Sequence, residues 1–268
     1  VALPQPALLV LLAVTSEKKS ALRINDLFVL SEGDLPDWVQ VWQPTEEKAD
    51  ILFLSTHPDD ELIFFGGAIP TYAVEQQRKV VVAYFTRSNT TRSSELLNGL
   101  WHMGVRTYPV IGNFKDSYAK NLNAAYKSTG GKGKVNEWIV GLYRQYKPEV
   151  VVTQDTNGEY GHKQHMMIAD AAQNCNAMAA NEEEFTASTI ANGTWQVKKL
   201  YLHLYPENQI TFDWTVPLKS MNGATGIELA EEAYTLHKTQ ASSGMSVTET
   251  GTKYDNRVYG LAFTTVGE

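Results

Sequence analysis

From Ala49 onward, short apolar runs alternate with stretches of helical periodicity, and this rhythm narrows the fold more than any other feature of the chain. Strands are expected over 51–55, 79–86, 107–111, 149–154 and 198–204, and helices over 61–77, 91–103, 134–146, 164–179 and 226–239. Alternation of this kind predicts an α/β fold, a Rossmann-like doubly wound and mostly parallel sheet with helices on both faces. Local punctuation agrees: Gly104 stands where a helix C-terminal glycine belongs, and Pro148 separates the third helix from its strand. Lys127 to Lys134, rich in Gly, Ser and Lys, reads as a flexible loop. After Thr186 the pattern is less regular. Tyr201 to Trp214 reads as a strand pair, Gly223 to Gln240 as a last long helix, and Gly251 to Phe263 as an added edge strand.

Residues 1–48 have another character. Arg23 to Leu30 and Trp38 to Trp42 alternate partly between apolar and polar residues, with turn chemistry across Ser31 to Pro36. They predict a small β-rich N-terminal appendage over 1–48, joined through Pro44 to Lys48 to a main domain over 49–268. The run Ala7 to Val14 is too short to span a bilayer and lacks the basic flank of a signal peptide, so it reads as a buried strand. A formal charge of −7 argues against nucleic acid as a partner. The single cysteine, Cys175, rules out an internal disulfide and a cysteine-built zinc site; it sits in an apolar helical stretch and reads as buried and inert. The aromatic-rich, cysteine-poor composition favours a secreted or surface bacterial protein, with the cytoplasm as the alternative.

Two clusters of chemistry sit where strands end. Ser55-Thr56-His57-Pro58-Asp59-Asp60-Glu61 follows the apolar run Ile51 to Leu54, and Glu159-Tyr160-Gly161-His162-Lys163-Gln164-His165 follows Val150 to Thr153. Ligands of open α/β sheets collect at the carboxyl ends of strands. His57 and Asp60 are spaced so that nitrogen and carboxylate converge on one ion while Asp59 points elsewhere. His162 and His165, three apart at a helix start, share a face. Three protein ligands with an open position is the pattern of catalytic zinc, and His57, Asp60 and one of His162 or His165 would supply it. The acidic residues 59–61 also suit a helix N-terminus, but that reading leaves the histidine unexplained.

Thr56-His57-Pro58-Asp59-Asp60-Glu61 resembles the signature of the PIG-L (LmbE-like) deacetylase superfamily, and the similarity in motif order runs over roughly residues 49–240. That family removes acetyl groups from N-acetylglucosaminyl compounds. The resemblance implies a metal ion, Zn2+ or another divalent cation, held by His57, Asp60 and His165. It implies Asp59 as general base toward a metal-bound water, with His162 stabilising the oxyanion and protonating the leaving amine, and Tyr160 near the substrate carbonyl. It implies Arg92 and Asp116 as contacts to the sugar or its substituents. One departure stands out. Where the family reads Gly-His-Pro-Asp-His, this chain has Gly161-His162-Lys163-Gln164-His165, which keeps both histidines and leaves the orientation of His162 without its usual Asp.

The chemistry is coherent on its own terms, because amide hydrolysis needs a strong nucleophile, a base and a stabilised oxyanion. An N-acetyl group on a glucosamine-type sugar or glycoconjugate is the expected substrate. A positive His162 opposite the base Asp59 predicts a bell-shaped pH–rate curve. Two rivals remain: a zinc amidase acting on a larger acyl group, and a non-catalytic carbohydrate-binding protein. No membrane span is expected. His102 reads as structural, His203 as facing either core or cleft, and His237 to Gln240 as support for the site.

Overall fold

A computed structural model describes residues 27–30, 33–87, 89–247 and 251–267. The run Ala7 to Val14, the first half of Arg23 to Leu30, and Ser31-Glu32 lie outside the described residues. The chain divides into two compact units, Val1–Gln40 and Val41–Glu268. Neither Leu27 to Leu30 nor the expected strand Trp38 to Trp42 is a strand; among the described residues no strand pairs with either. Gln43 already belongs to the larger unit, exchanging main-chain hydrogen bonds with Arg106 and Tyr108, while Trp42 packs edge-on against Trp101.

The larger unit is built on a seven-stranded sheet: β1 (Ile51–Ser55), β2 (Val80–Thr86), β3 (Val110–Phe114), β4 (Val150–Thr153), β5 (Lys199–His203), β6 (Gln209–Thr211) and β7 (Val258–Thr264). Their order is β3-β2-β1-β4-β5-β7-β6. The first five are mutually parallel, and β7 runs antiparallel to both β5 and β6. The α-helices are α1 (Asp60–Phe65), α2 (Ala68–Pro70), α3 (Thr90–His102), α4 (Leu122–Ser128), α5 (Lys132–Tyr146), α6 (Lys163–Ala180), α7 (Thr186–Asn192) and α8 (Gly226–Tyr234). One face of the sheet carries a core in which Val135, Ile139 and Tyr143 of α5 meet Met167, Ala171 and Cys175 of α6. The other carries Leu62 and Phe65 of α1 with Leu96 and Leu100 of α3. Every residue of β1 and β2 is buried, as a strand covered on both faces must be. Cys175 is buried, and burial pushes its thiol pKa up, so it is inert as expected. No helix among the described residues is long and apolar enough to cross a membrane.

Several boundaries differ from expectation for physical reasons. The third strand begins at Val110 rather than Thr107, because Pro109 has no N–H to give to a ladder. The expected helix 61–77 is broken into α1, α2 and a π-helical turn, Thr71–Glu75. The break falls at Gly66-Gly67, where a Cβ on Gly67 would lie 1.8 Å from the Trp214 ring, so close packing requires the glycine. Lys127 to Lys134 is no flexible loop: α4 ends and α5 begins inside it, and the turn is confined to Thr129, Gly130 and Gly131. Tyr201 to Trp214 is not a strand pair, and the tail is not an edge. β7 inserts between β5 and β6, leaving the short, exposed β6 as the edge. The last long helix stops at Tyr234 and is followed by a 3-10 turn, Lys238–Gln240.

This topology positions the site. Strand order reverses between β1 and β4, so the loops leaving their carboxyl ends diverge to opposite faces and open a crevice between them. The far end of α6, whose first turn carries His165, is anchored by Arg144. That guanidinium is fully buried and donates to the carbonyls of Ala179 (3.1 Å), Glu184 (2.9 Å), Phe185 (3.1 Å), Met178 (3.0 Å) and Asn181 (2.7 Å). Three of these, Met178, Ala179 and Asn181, are carbonyls that the C-terminus of α6 leaves open, and the other two tie down the loop that follows. Arg144→Leu strands several of them, and the expected loss is about 3 kcal/mol in urea unfolding. A loss below about 1 kcal/mol would show that water or neighbouring donors replace the guanidinium.

Candidate active site

The loop after β1 is tied down by its own side chains. Ser55 Oγ donates to the His57 carbonyl at 3.0 Å, and the His57 N–H donates to Asp60 Oδ2 at 2.7 Å. Gln154, just past β4, donates to the same Asp60 oxygen at 3.0 Å and accepts the Thr56 hydroxyl. The two strand ends are thus linked before any ligand is considered.

His57, Asp60 and His165 converge. His57 Nδ1 lies 3.1 Å from Asp60 Oδ2 and 3.1 Å from His165 Nε2, and the third edge, His165 Nε2 to Asp60 Oδ2, is 3.2 Å. Ligands at zinc distances from a tetrahedral ion lie roughly 3.3–3.5 Å apart, so this near-equilateral triangle has the size of one face of such a site. The tautomers agree with it. His165 donates through Nδ1 to Glu159 Oε2 at 2.8 Å, and His57 donates through Nε2 to Gln164 Oε1 at 3.2 Å. In their neutral forms both rings turn a lone pair toward the other and toward a carboxylate oxygen, an arrangement that a cation at the centre would stabilise. Electrostatics favour positive charge at this spot, whether a proton on each ring or a cation between them. Burial lowers the pKa of both histidines, yet the Asp60 carboxylate outweighs it, aided by Asp116 at His57 and by Glu159 at His165, and raises them to about 10 and about 9. Asp60, despite burial, is held well below the usual carboxylate range by His165 and His57. His57, His162 and His165 also offer nitrogens within 4.8 Å of one another, but the Asp60 triangle is the tighter set.

Asp59 stands beside this triangle without entering it. It receives Arg92 Nη2 on Oδ1 at 2.5 Å, and the same nitrogen donates to the Pro58 carbonyl. Burial raises its pKa to about 7, with the charge of Asp60 adding to the effect and Arg92 pulling back. Its backbone is unusual, with φ 118° and ψ −30°, a region that residues with a Cβ rarely occupy at a cost of order 1–3 kcal/mol.

Hydrogen bonds offset that cost. The Asp59 N–H donates to Glu61 Oε2 at 2.8 Å, and its carbonyl accepts from Leu62 at 3.0 Å and Ile63 at 3.1 Å. Each such bond contributes about 0.5–1.5 kcal/mol net.

The remaining expected residues fall around the same crevice. His162 is the N-cap of α6: its Nδ1 accepts the Gln164 N–H at 3.3 Å, and its ring centroid is 4.7 Å from that of His57. Burial, with His165 and His57 charged nearby, lowers its pKa to about 4. The direction of that shift favours a neutral imidazole over the cation expected from sequence. Tyr160 is part-exposed at φ 55°, its ring 4.3 Å from that of Tyr254. Arg92 and Asp116 turn inward. Asp116 lies 3.4 Å from His57 Nε2 and 3.8 Å from Arg92 Nη1, against the triangle rather than out among solvent. His102 is an exposed partner of Glu232 at 2.8 Å. An apolar cavity of about 260 Å3, toward the amino ends of β1, β4 and β5 and lined by Phe53, Tyr72 and Tyr201 among others, plays no part here.

Three contributors went unrecognised in the sequence. Glu159 is fully buried and bridges His165 Nδ1 and His203 Nδ1, each at 2.8 Å; the two imidazoles overcome burial and depress its pKa to about 2. Gln164, one of the two departures from the family pattern, orients His57 instead of His162. It also accepts the Ser117 N–H at 2.9 Å and donates to the Lys115 carbonyl at 2.8 Å. Gln154 fixes Asp60. The only signal for Glu159 was its place at the head of the second cluster, and a Gln carries none. His203 proves to be core, fully buried behind Glu159, with Nε2 donating to the Asp255 carbonyl at 3.1 Å. Glu159→Gln weakens the hold on the His165 tautomer, and the expected result is a 10- to 100-fold loss of metal affinity in a chelator competition, roughly the cost of such partners elsewhere. Unchanged affinity would remove Glu159 from the site.

Comparison with known proteins points to one family. Residues 52–176 match the family model PIG-L, GlcNAc-PI de-N-acetylase. The chain is 28% identical over 179 residues to a 1D-myo-inositol 2-acetamido-2-deoxy-alpha-D-glucopyranoside deacetylase of Frankia casuarinae, covering 56% of this chain and 57% of that protein. It is 24% identical over 239 residues to a like-named deacetylase of Catenulispora acidiphila, covering 79% and 73%. The chain thus spans little more than half the length of the first of these relatives. Among solved structures, the N,N'-diacetylchitobiose deacetylase of Pyrococcus horikoshii superposes with a TM-score of 0.54 at 17% identity, over 72% of this chain and 71% of that one. A conserved protein of Thermus thermophilus superposes with a TM-score of 0.51 at 18% identity, over 73% and 81%. At these identities the superpositions establish the fold. The stretch that carries both site loops, residues 52–176, is a domain of the PIG-L family.

Proposed function

We propose that this protein is a metal-dependent hydrolase that removes the N-acetyl group from an N-acetylglucosamine-type sugar or glycoconjugate. The observation that carries the reading is a separate carboxylate, Asp59, next to a facing triangle of two imidazole nitrogens and a carboxylate oxygen. A binding site has no use for a base of that kind. The names of the relatives, deacetylases of an acetamido sugar, support the same substrate class.

His57, Asp60 and His165 would hold the ion, Zn2+ or another divalent cation, which supplies Lewis acidity toward the acetyl carbonyl and toward water. Asp59 takes a proton from the attacking water as its oxygen bonds to the acetyl carbon. Arg92 fixes the carboxylate that does this. His162, with Nδ1 committed to the Gln164 N–H, carries its proton on Nε2 and offers it to the oxyanion as a neutral donor. When the C–N bond breaks, the proton held by Asp59 passes to the amine, leaving acetate and the free amino sugar. Asp116 and Tyr160 would contact the sugar.

With His162 neutral, the alkaline limb expected from a charged imidazole disappears. The expected profile of kcat/KM is a single rise with pH as Asp59 loses its proton, and an alkaline fall abolished by His162→Gln would restore the cation. Acetate release from N-acetylglucosamine conjugates with added Zn2+ tests the activity directly, and binding without acetate would sink it. Asp59→Asn keeps metal stoichiometry and is expected to lose most of kcat, on the order of 10²–10⁴-fold for a general base. Undiminished turnover would take Asp59 out of the mechanism.

A further inference from the structure

Asp59 occupies the N-cap of α1, where an aspartate ordinarily turns its carboxylate back to accept the N–H of the second or third helical residue. Here it makes no such bond. The positive φ turns the side chain away from its own helix and toward Arg92. The opposite half of a capping arrangement is nevertheless present, because Glu61 reaches back to the Asp59 N–H at 2.8 Å.

Glu61 is fully buried, so a surface charge complementing the helix dipole does not explain it. Its remaining oxygen, Oε1, makes no hydrogen bond and faces His237 Nε2 at 3.9 Å. His237 is itself buried and held against α3, where a Cβ on Gly99 would come within 3.1 Å of its ring. The segment that follows is pinned to the same helix, with Thr239 donating its N–H (2.9 Å) and hydroxyl (2.6 Å) to Glu95.

We propose that Glu61, backed by His237, is a positioning residue that takes over the capping of α1 and holds Asp59 in its unfavourable backbone conformation, so that the Asp59 carboxylate stays free for proton transfer. The inference rests on the deacetylase reading for its consequence in rate, though not for its geometry. Two adjacent aspartates must aim in different directions, Asp60 into the triangle and Asp59 beside it, and relaxed helix-capping geometry would spend Asp59 on its own helix. What matters is an acceptor at the reach of a glutamyl chain.

The test compares two conservative variants of the zinc-loaded full chain. Glu61→Gln keeps an acceptor oxygen at the same reach and is expected to retain kcat within about tenfold, whereas Glu61→Asp keeps the charge but withdraws it. Glu61→Asp is expected to keep zinc stoichiometry and a KM within about twofold while kcat falls roughly 10²-fold, the scale of a misplaced catalytic group. In its crystal structure Asp59 should relax to negative φ, with its carboxylate on the N–H of residue 61 or Leu62. Full kcat in Glu61→Asp, a loss in Glu61→Gln as deep as in Glu61→Asp, or an unrelaxed Asp59 would each overturn the proposal. If the wild type releases no acetate, the deacetylase reading falls by itself, and the Asp59 backbone in Glu61→Asp still decides the role of Glu61.

Discussion

Two imidazole lone pairs and a carboxylate oxygen, held about 3.1–3.2 Å apart in a buried crevice, repel one another unless something positive lies between them. Much of the surrounding structure serves to hold them there. Glu159, Gln164 and Gln154 each fix one member of the triangle from outside, and none would be needed if the three side chains were free to turn away. The polar investment is large for a protein interior. It is tolerable because the polar atoms of the triangle itself are answered by one another and by these three partners.

The sheet makes this arrangement available. Reversal of strand order between β1 and β4 brings together loops roughly a hundred residues apart in sequence and directs them into one crevice. Each loop then passes directly into a helix whose first turn carries its functional groups: Asp59, Asp60 and Glu61 on α1, His162 and His165 on α6. Helices packed on opposite faces of the sheet thus meet head-on at the site. The buried anchor of Arg144 at the far end of α6 has its functional meaning here, since a shift of that helix would pull His165 out of the triangle.

A neutral His162 would change the proposed division of labour at the crevice. Proton traffic would fall to Asp59, with His162 a donor whose Nδ1 is committed to capping its own helix. This is also how the chain accommodates a Gln where the family pattern has an Asp. Gln164 turns to His57, and the backbone N–H of the same residue orients His162.

What the sequence by itself determined was local or periodic. The strand and helix rhythm from Ala49 onward, the Gly104 stop, and the clusters His57-Pro58-Asp59-Asp60 and His162 to His165 are short-range patterns; the fold class follows from them, as do His57, Asp60 and one histidine of the second pair, while the choice of His165 came with the family resemblance. Only the tertiary structure decided the rest, because each part depends on a partner remote in sequence. β7 slips between β5 and β6 through pairings 47 to 65 residues apart, which no local pattern encodes. Glu61 was legible only as a helix N-terminal charge until burial removed that option, and His203 stood undecided between core and cleft until Glu159 claimed it. The charge state of His162 likewise depends on burial and on imidazoles contributed by another turn and another loop. Residue type sets what a side chain can do, and its neighbours in space set which of those things it does.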